Sequence, residues 1–384
     1  MKIAIIYDWC YPFSKGGGES RYYHLTKELI KRGHEVKLFT LKCWDSSDKI
    51  ITHNGIKYES IGKSLNAYNK DGNRSMVQSL YFGLKVLLNI HKFYKYDIIE
   101  TAQYPFFHLF PLMIYRKILI VSWFEYWGNH WLEYSKNYIV ARVGMAIEKI
   151  TFKIPNSMIV ISQSCHQKAK AVRSASSATY YIPNWIPDYN YKYDSTNKKL
   201  NNTICYFGRL KNHKNVKVLI EALKICHDKN FFYNLNIYGD GPDRKSIENL
   251  VINYNLQNKV KFSGAIEEHK DLLRRVSNTN LFVLPSTKEG GGSIVTLESN
   301  SVGVPVIAVK SDLGIDRSLI KDNYNGYWIS ACDPKEIADK IILHFQQTKD
   351  SEKIMKKNCK DFSRGYKIKY LIEDVLKVYK EVIK

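Results

Sequence analysis

Short apolar runs alternate with helix-length amphipathic segments along nearly the whole chain, and the alternation is played through twice. "KIAIIYD" (2–8) is the kind of short, continuous apolar run that suits a strand buried on both faces. A loop follows, then "ESRYYHLTKELIKRG" (19–33), whose Tyr22, Leu25, Leu29 and Ile30 recur at helical spacing before Gly33 offers a C-terminal stop. "HEVKLFT", "YDIIET" (96–101), "ILIVSWF" (118–124) and "SMIVIS" (157–162) continue the pattern, with helical stretches between them. Around 183–203, "PNWIPDYNYKYDSTNKKLNNT" breaks it with prolines, asparagines and tyrosines at no period. It restarts at "ICYFG" (204–208) and runs through "NVKVLIEALKICHDK", "LNIYG" (235–239), "DRKSIENLVINY", "VKFSG" (260–264), "EEHKDLLRRVS", "LFVLPS" (281–286) and "PVIAV" (305–309). "DPKEIADKIILHF" opens with a capping signature: Asp333 as N-cap, Pro334 at the first helical position, Glu336 reaching back. Strands alternating with helices predict parallel sheets covered on both faces. The class is therefore α/β, with two Rossmann-like domains facing a cleft. The bounds expected are 1–188, a linker at 189–203, 204–365, and a last helix at 366–384.

A chain of 384 residues, 45% of them apolar, can bury two cores. Its seven cysteines are scattered and unpaired by any C-x-x-C spacing, which argues against a disulfide framework and for a reducing, cytoplasmic compartment. No His/Cys spacing suits a metal. "MKIAIIYDW" reads as a strand and not as a leader, and the most apolar stretch, "YPFFHLFPLMIY" (104–115), is too short for a membrane-spanning helix. The net charge of +21 divides into +11 over residues 1–190 and +10 over the rest. So evenly spread an excess attracts polyanions (nucleic acid, anionic lipid or phosphorylated small molecules) or serves solubility alone. A nucleic-acid reader would gather the charge on one face and carry a reading module, and neither is visible.

Three stretches carry chemistry. In "SKGGGESRYYHL", Gly16, Gly17 and Gly18 sit where a strand passes into a helix, letting backbone amides approach a ligand at a helix N-terminus that favours anions. The loop is not G-x-G-x-x-G, so a dinucleotide fingerprint is not supported. In "FGRLKNHKN", Arg209 and Lys214 follow a strand end, a forked donor and a compact charge suited to a diphosphate. In "KEGGGSIVTLES" (288–299), Glu289 and Glu298 bracket Gly290, Gly291 and Gly292. Ser293 is then an N-cap, and the helix behind it points free N–H groups at an anion. Carboxylates accept hydrogen bonds from hydroxyl groups, and sugars are dense in them.

Taken in order, "FGRLKNHKNVKVLIEAL", "IYGDGPDRKSIENL", "VKFSG", "LPSTKEGGGSIVTLESNSVGVPVIA" and "NGYWI" resemble glycosyltransferase family 4, the retaining, nucleotide-sugar-dependent enzymes of the GT-B fold. "YIPNWIPD" and the N-terminal glycine loop fit the same family. The resemblance implies a metal-independent transfer of a sugar from a UDP-, GDP- or ADP-sugar to a hydroxyl of a glycan, lipid-linked or small-molecule acceptor. No further cofactor is implied. Arg209 and Lys214 would neutralise the donor diphosphate, in keeping with the absence of a D-x-D motif. Glu289 would contact the transferred sugar and Glu298 the donor ribose. Gly291, Gly292 and Ser293 would present amides to the phosphates, Gly17 and Gly18 would lie near the diphosphate, and Gly264 to Ile266 would border the base. Attack would be front-side, with domain closure excluding water. The last helix would cross back onto the N-terminal domain.

Two departures from the family pattern stand out. The family's paired glutamates usually enclose seven residues; Glu289 and Glu298 enclose eight, so the turn is one residue longer or the sugar-facing acid has shifted. In "ILIVSWFEYWGNHWLEY", Phe124 stands where a histidine commonly follows the strand, with Glu125, Trp127 and His130 as nearby sugar or acceptor contacts. A non-catalytic sugar-nucleotide binder of the same fold is the alternative this leaves. Aromatic residues at the first domain's strand ends either pack on sugar rings or fill the core. The helix candidates at 84–95 and 139–153 mix apolar and basic residues; they either rest on an anionic membrane surface, which would make the protein peripheral, or are ordinary amphipathic helices.

Overall fold

The computed structural model describes residues 1–14, 16–65, 75–134, 137–174, 177–188, 200 and 202–384. They divide into two units, Met1–Pro187 with Ile368–Lys384, and Asp188–Lys367. Of the linker expected at 189–203, only 200, 202 and 203 fall within the described residues.

In the first unit the strands are β1 (Lys2–Ile6), β2 (Glu35–Lys42), β3 (Ile50–His53), β4 (Ile56–Lys63), β5 (Ile98–Ala102), β6 (Leu119–Trp123), β7 (Ser157–Val160) and β8 (Ala178–Tyr181). They form one sheet in the order β3-β4-β2-β1-β5-β6-β7-β8. All pairs are parallel except β3 with β4, a hairpin at the edge that the alternating pattern did not disclose. Helices α1 (Gly17–Lys31), α2 (Met76–Leu88), α3 (Leu109–Leu112), α4 (Trp131–Tyr134), α5 (Tyr138–Thr151) and α6 (Gln163–Val172) connect them. Strand β1 shows why both faces must be covered. Ile3 and Ile5 point into one core with Tyr22, Leu25 and Leu29 of α1, while Ala4 and Ile6 point into the other with Phe82 and Val86 of α2. The helix expected over 84–95 ends at Leu88, where Asn89 turns its amide side chain back onto the Lys85 carbonyl and a 3-10 turn follows.

The second unit repeats the plan. Its strands are β9 (Thr203–Phe207), β10 (Asn234–Tyr238), β11 (Val260–Phe262), β12 (Leu281–Leu284), β13 (Lys288–Gly291), β14 (Val306–Val309), β15 (Leu313–Ile315) and β16 (Gly326–Ile329). The sheet order is β11-β10-β9-β12-β14-β16, all parallel, with β13 and β15 as a separate ribbon. Helices α7 (Val216–Asp228), α8 (Arg244–Asn253), α9 (His269–Ser277), α10 (Ile294–Ser301), α11 (Pro334–Phe345) and α12 (Lys349–Arg364) cover it. Asp333 caps α11 by accepting from the Glu336 amide, but the Glu336 carboxylate takes the Ser330 and Ala331 amides instead of closing a reciprocal box.

Helix α13 (Ile368–Ile383) belongs to the first unit, where it packs on α1. Its Ile372, Val375 and Tyr379 join the core beneath β1. The Tyr379 hydroxyl donates to the buried carboxylate of Glu100 on β5, whose other oxygen accepts from Ser122 of β6 at 3.1 Å. Arg21 of α1 is buried in the same cluster, stacked 3.7 Å above the Trp185 ring and donating to Asn184 at 3.0 Å. Burial pushes the Glu100 carboxyl up and the Arg21 guanidinium down, and each one's charge opposes the other's shift.

Candidate functional site

In an open parallel sheet, ligands gather beyond the carboxyl ends of the strands where the order reverses. In the second unit that point lies between β9 and β12, the two strands that lead into "GRLKNHKN" and "KEGGGS". Glycines close the strand exits. Gly208 (φ +148°) and Gly239 (φ +138°) sit so near each other that a Cβ on Gly239 would overlap the Gly208 carbonyl. Gly239 donates to the Gly264 carbonyl at 2.7 Å, and Gly264 itself holds φ +68°. Ile266, two residues on, is half-buried against the unit's core.

The cationic loop is pinned from several sides. Tyr206 of β9, nearly all core, donates its hydroxyl to the Arg209 carbonyl at 3.1 Å. Ser286 donates to the His213 carbonyl at 3.1 Å, and Asn215, itself left-handed at φ +52°, donates to the Pro285 carbonyl at 3.2 Å. These bonds lay the 209–215 turn against the exit of β12. There Lys214 donates to Glu289 at 2.5 Å, so the structure brings together two residues that the sequence placed in separate motifs. Lys211 joins them. Its ammonium is pushed down by burial, then by the charges of Arg209 and Lys214. The His213 imidazole is lowered to about 4 by burial and Lys214, so it stays neutral at pH 7. Arg209, Lys211 and Lys214 thus lie close enough to act on one another's charge, with Lys214 held by the Glu289 carboxylate.

The glycine turn is a ribbon and not a simple loop. Between Lys288 and Gly291, β13 spends three residues where β15 spends two, and Gly290 (φ +64°) and Gly291 (φ +84°) absorb the extra one. The bulge falls inside the eight-residue interval between Glu289 and Glu298. Gly291 accepts from the Asp316 amide at 2.8 Å, and Gly292 follows, half-buried. Ser293 stands at the N-cap of α10 as expected, but its hydroxyl accepts from Thr296 Oγ1 at 3.2 Å and makes no cap bond to the first-turn amides. Further along α10, buried Glu298 accepts from His269 Nε2 at 2.9 Å. Burial pushes the His269 imidazole down; the Glu298 charge and hydrogen bond outweigh it, and the net shift is upward. Neither His269 nor Lys211 was singled out from the sequence. The only signal for either was its position just past a strand end.

In the first unit the order reverses between β1 and β5, and the loop after β1 carries the glycines into α1. Gly18 has an internal reason to be glycine, because a Cβ there would overlap the Tyr7 hydroxyl; at Gly17 a Cβ would meet nothing within 4 Å. Beyond β6, Phe124 packs against the core, donates its amide to Gln103 at 2.8 Å and lies 5.9 Å from the Arg21 guanidinium. Buried Glu148, on α5, organises the turn after Phe124 by accepting from the amides of Trp127 (2.9 Å) and Gly128 (2.8 Å) and from the Trp131 indole (3.1 Å). Glu125, Trp127 and His130 are thus held on one short, half-buried segment. Of the aromatic residues at this unit's strand ends, Trp123 and Phe106 fill the core.

Residues 15–188 match the family model Glycosyltransferase Family 4, and residues 190–361 match Glycosyl transferases group 1. The chain belongs to the family 4-type glycosyltransferases. An uncharacterized glycosyltransferase of Methanocaldococcus jannaschii is 30% identical over 179 residues, 46% of this chain; the aligned part is about half of that relative's length, 47%. The N,N'-diacetylbacillosaminyl-diphospho-undecaprenol alpha-1,3-N-acetylgalactosaminyltransferase of Campylobacter jejuni is 23% identical, over 94% of this chain and 96% of its own. Among solved structures, sucrose-phosphate synthase of Thermosynechococcus elongatus superposes with a TM-score of 0.80 at 19% identity, over 99% of this chain and 98% of its own. Anabaena HepE in complex with UDP and glucose gives 0.75 at 19%, over 99% and 100%. At such identities these two speak for the fold, which is GT-B. Among the described residues of this glycosyltransferase, no cluster of three His, Cys, Asp or Glu could hold a metal, and no helix is long and apolar enough to cross a membrane.

Proposed function

We propose that this family 4-type chain transfers a sugar from a nucleoside diphosphate sugar to an acceptor hydroxyl, with retention of anomeric configuration and without a divalent metal. The observation that carries the reading is the clustering of Arg209, Lys211 and Lys214 after β9, with Lys214 reaching Glu289 on the glycine ribbon that leads into α10. Charge on the departing diphosphate is what such a transfer must stabilise, and fixed cations and amide dipoles in a half-buried site do so without reorganising. In this reading Arg209 and Lys214 clasp the diphosphate, the amides from Gly291 to Ser293 complete the clasp, and Glu289 touches the sugar. Glu298, steadied by His269, receives the ribose hydroxyls, and Gly264 and Ile266 border the base. Gly17, which packing leaves free to be larger, keeps room for a ligand at the first turn of α1. Retention is read here as front-side attack within one face of the sugar, with no carboxylate assigned as a covalent nucleophile.

The acceptor, a glycan or a lipid-linked hydroxyl, would meet the first unit near Glu125, Trp127 and His130, with the protein peripheral on an anionic face of the membrane. The Campylobacter relative, by its name, acts on an undecaprenol diphosphate-linked sugar. A second reading, a sugar-nucleotide binder that does not turn over, rests on Phe124. Turnover of UDP-, GDP- and ADP-sugar donors, with the product anomer read by NMR, separates the two. Release of nucleoside diphosphate, a retained anomer and indifference to EDTA support transfer. Nucleotide binding without release supports the binder, while an inverted anomer or loss with EDTA contradicts the mechanism.

A further inference from the structure

Helix α2 is built inside out. A surface helix turns its polar residues to water, yet here Gln78 and Ser79 are buried while Met76, Val77, Leu80, Leu84, Leu87 and Leu88 are each 50–68% exposed. At 100° per residue these six fall within an arc of about 120° that contains no charged or polar residue. Phe82 and Val86 meanwhile bury the opposite face in the core. The stripe has a neighbour. Tyr115 donates to the Ile90 carbonyl at 3.0 Å, which sets the end of α2 beside Met113 and Ile114, also exposed.

The segment that carries the stripe is cationic. Residues 75–118 hold five Lys and Arg against two acids; Glu100 lies in the core, and exposed Asp97 accepts from the Lys2 amide. Lys95, Arg116 and Lys117 are exposed, Lys85 lies over the Tyr81 ring at 5.1 Å, and Lys92 pairs with Glu59 at 2.8 Å. Tyr94 stands 76% exposed among them, an amphipathic ring of the sort that favours the membrane interface. An apolar stripe on a cationic segment complements an anionic bilayer: acyl chains accept the leucines and headgroups the lysines. A second copy of the chain would bring like charges together around the same stripe.

We infer that the outer face of α2, with Met113 and Ile114, is a docking surface for an anionic lipid bilayer. The surface rests on the membrane-peripheral part of the function proposed above, to which it gives a place in the fold, and not on glycosyl transfer itself. Co-sedimentation of the full chain with vesicles of phosphatidylcholine alone, and with one part in four phosphatidylglycerol, tests it. Wild type pellets with the anionic vesicles and at least tenfold less with the neutral ones. The exposed-site variant Leu80→Glu/Leu84→Glu/Leu87→Glu loses at least tenfold in partitioning, with far-UV circular dichroism and the melting temperature unchanged. Equal recovery with both vesicles, or equal pelleting of the variant, overturns the inference. So does a wild-type dimer in sedimentation velocity that the variant dissociates while vesicles recruit neither, since the stripe would then be a homotypic contact. Should the variant itself fail to fold, Lys95→Glu/Arg116→Glu/Lys117→Glu replaces it, with the same loss expected. Because the readout is vesicle binding, a chain that binds vesicles but transfers no sugar refutes the proposed function and leaves this surface standing.

Discussion

Lys214 has two claims on it. In the ligand-free chain Glu289 holds it at 2.5 Å; in the proposed reaction a diphosphate needs it. Removing the carboxylate charge separates these roles. Glu289→Gln should bind free nucleoside diphosphate severalfold more tightly, on the order of 1 kcal/mol for a partly exposed ion pair, while turnover drops at least tenfold. Titration calorimetry beside a turnover assay checks both, and weaker binding with unaltered turnover would contradict the assignment. Gly17→Ala probes the other unit. A Cβ there meets nothing, and alanine favours a helix over glycine, so the melting temperature should hold or rise slightly. If a ligand approaches at Gly17, turnover falls; unchanged turnover removes Gly17 from the site. His269 gives a pH signature. Its folded imidazole titrates above the ordinary 6.5, so its contribution to stability is whole below that pH and fades as pH rises through the folded value. The melting temperature of wild type should exceed that of His269→Gln by about 1–3 °C at pH 6, an advantage shrinking toward zero by pH 9.

Elements were more legible than side-chain pairings. Continuous apolar runs disclosed β1 and β9, which are buried on both faces, and the 3.6-residue period disclosed α7. The β13–β15 ribbon was hidden, since three glycines carry no hydrophobic period and the bulge shows only in the pairing. The Lys214–Glu289 and His269–Glu298 contacts were hidden for a related reason: each joins residues brought together by sheet order, on which a local pattern is silent. Helix α2 was legible only from Leu84 on, as part of a mixed apolar and basic candidate at 84–95, and which of its faces is buried was not legible. Helix α13 makes a prediction at this scale. Its Tyr379 hydroxyl satisfies a Glu100 oxygen at zero exposure, so Tyr379→Phe strands a buried acceptor at a cost of about 1–3 kcal/mol. Denaturant titration should show the loss with its slope unchanged; a loss below about 0.5 kcal/mol would mean the bond is dispensable.

At the scale of the whole molecule, the positive charge that matters to the proposed function is the local cluster of Arg209, Lys211 and Lys214 after β9, the proposed seat of a pyrophosphate. The order of motifs along the chain made the family readable, because no single motif needed to be specific. Donor base, sugar and acceptor depend on loop contacts that no local pattern encodes. The most direct measurement is titration calorimetry of UDP, GDP and ADP, each beside its parent nucleoside, against wild type and the Arg209→Ala/Lys214→Ala variant. The account predicts that one diphosphate binds wild type at least thirtyfold more tightly than its nucleoside, and that the variant erases most of that advantage, about 2 kcal/mol. A diphosphate preference that survives in the variant, or none in wild type, would contradict it.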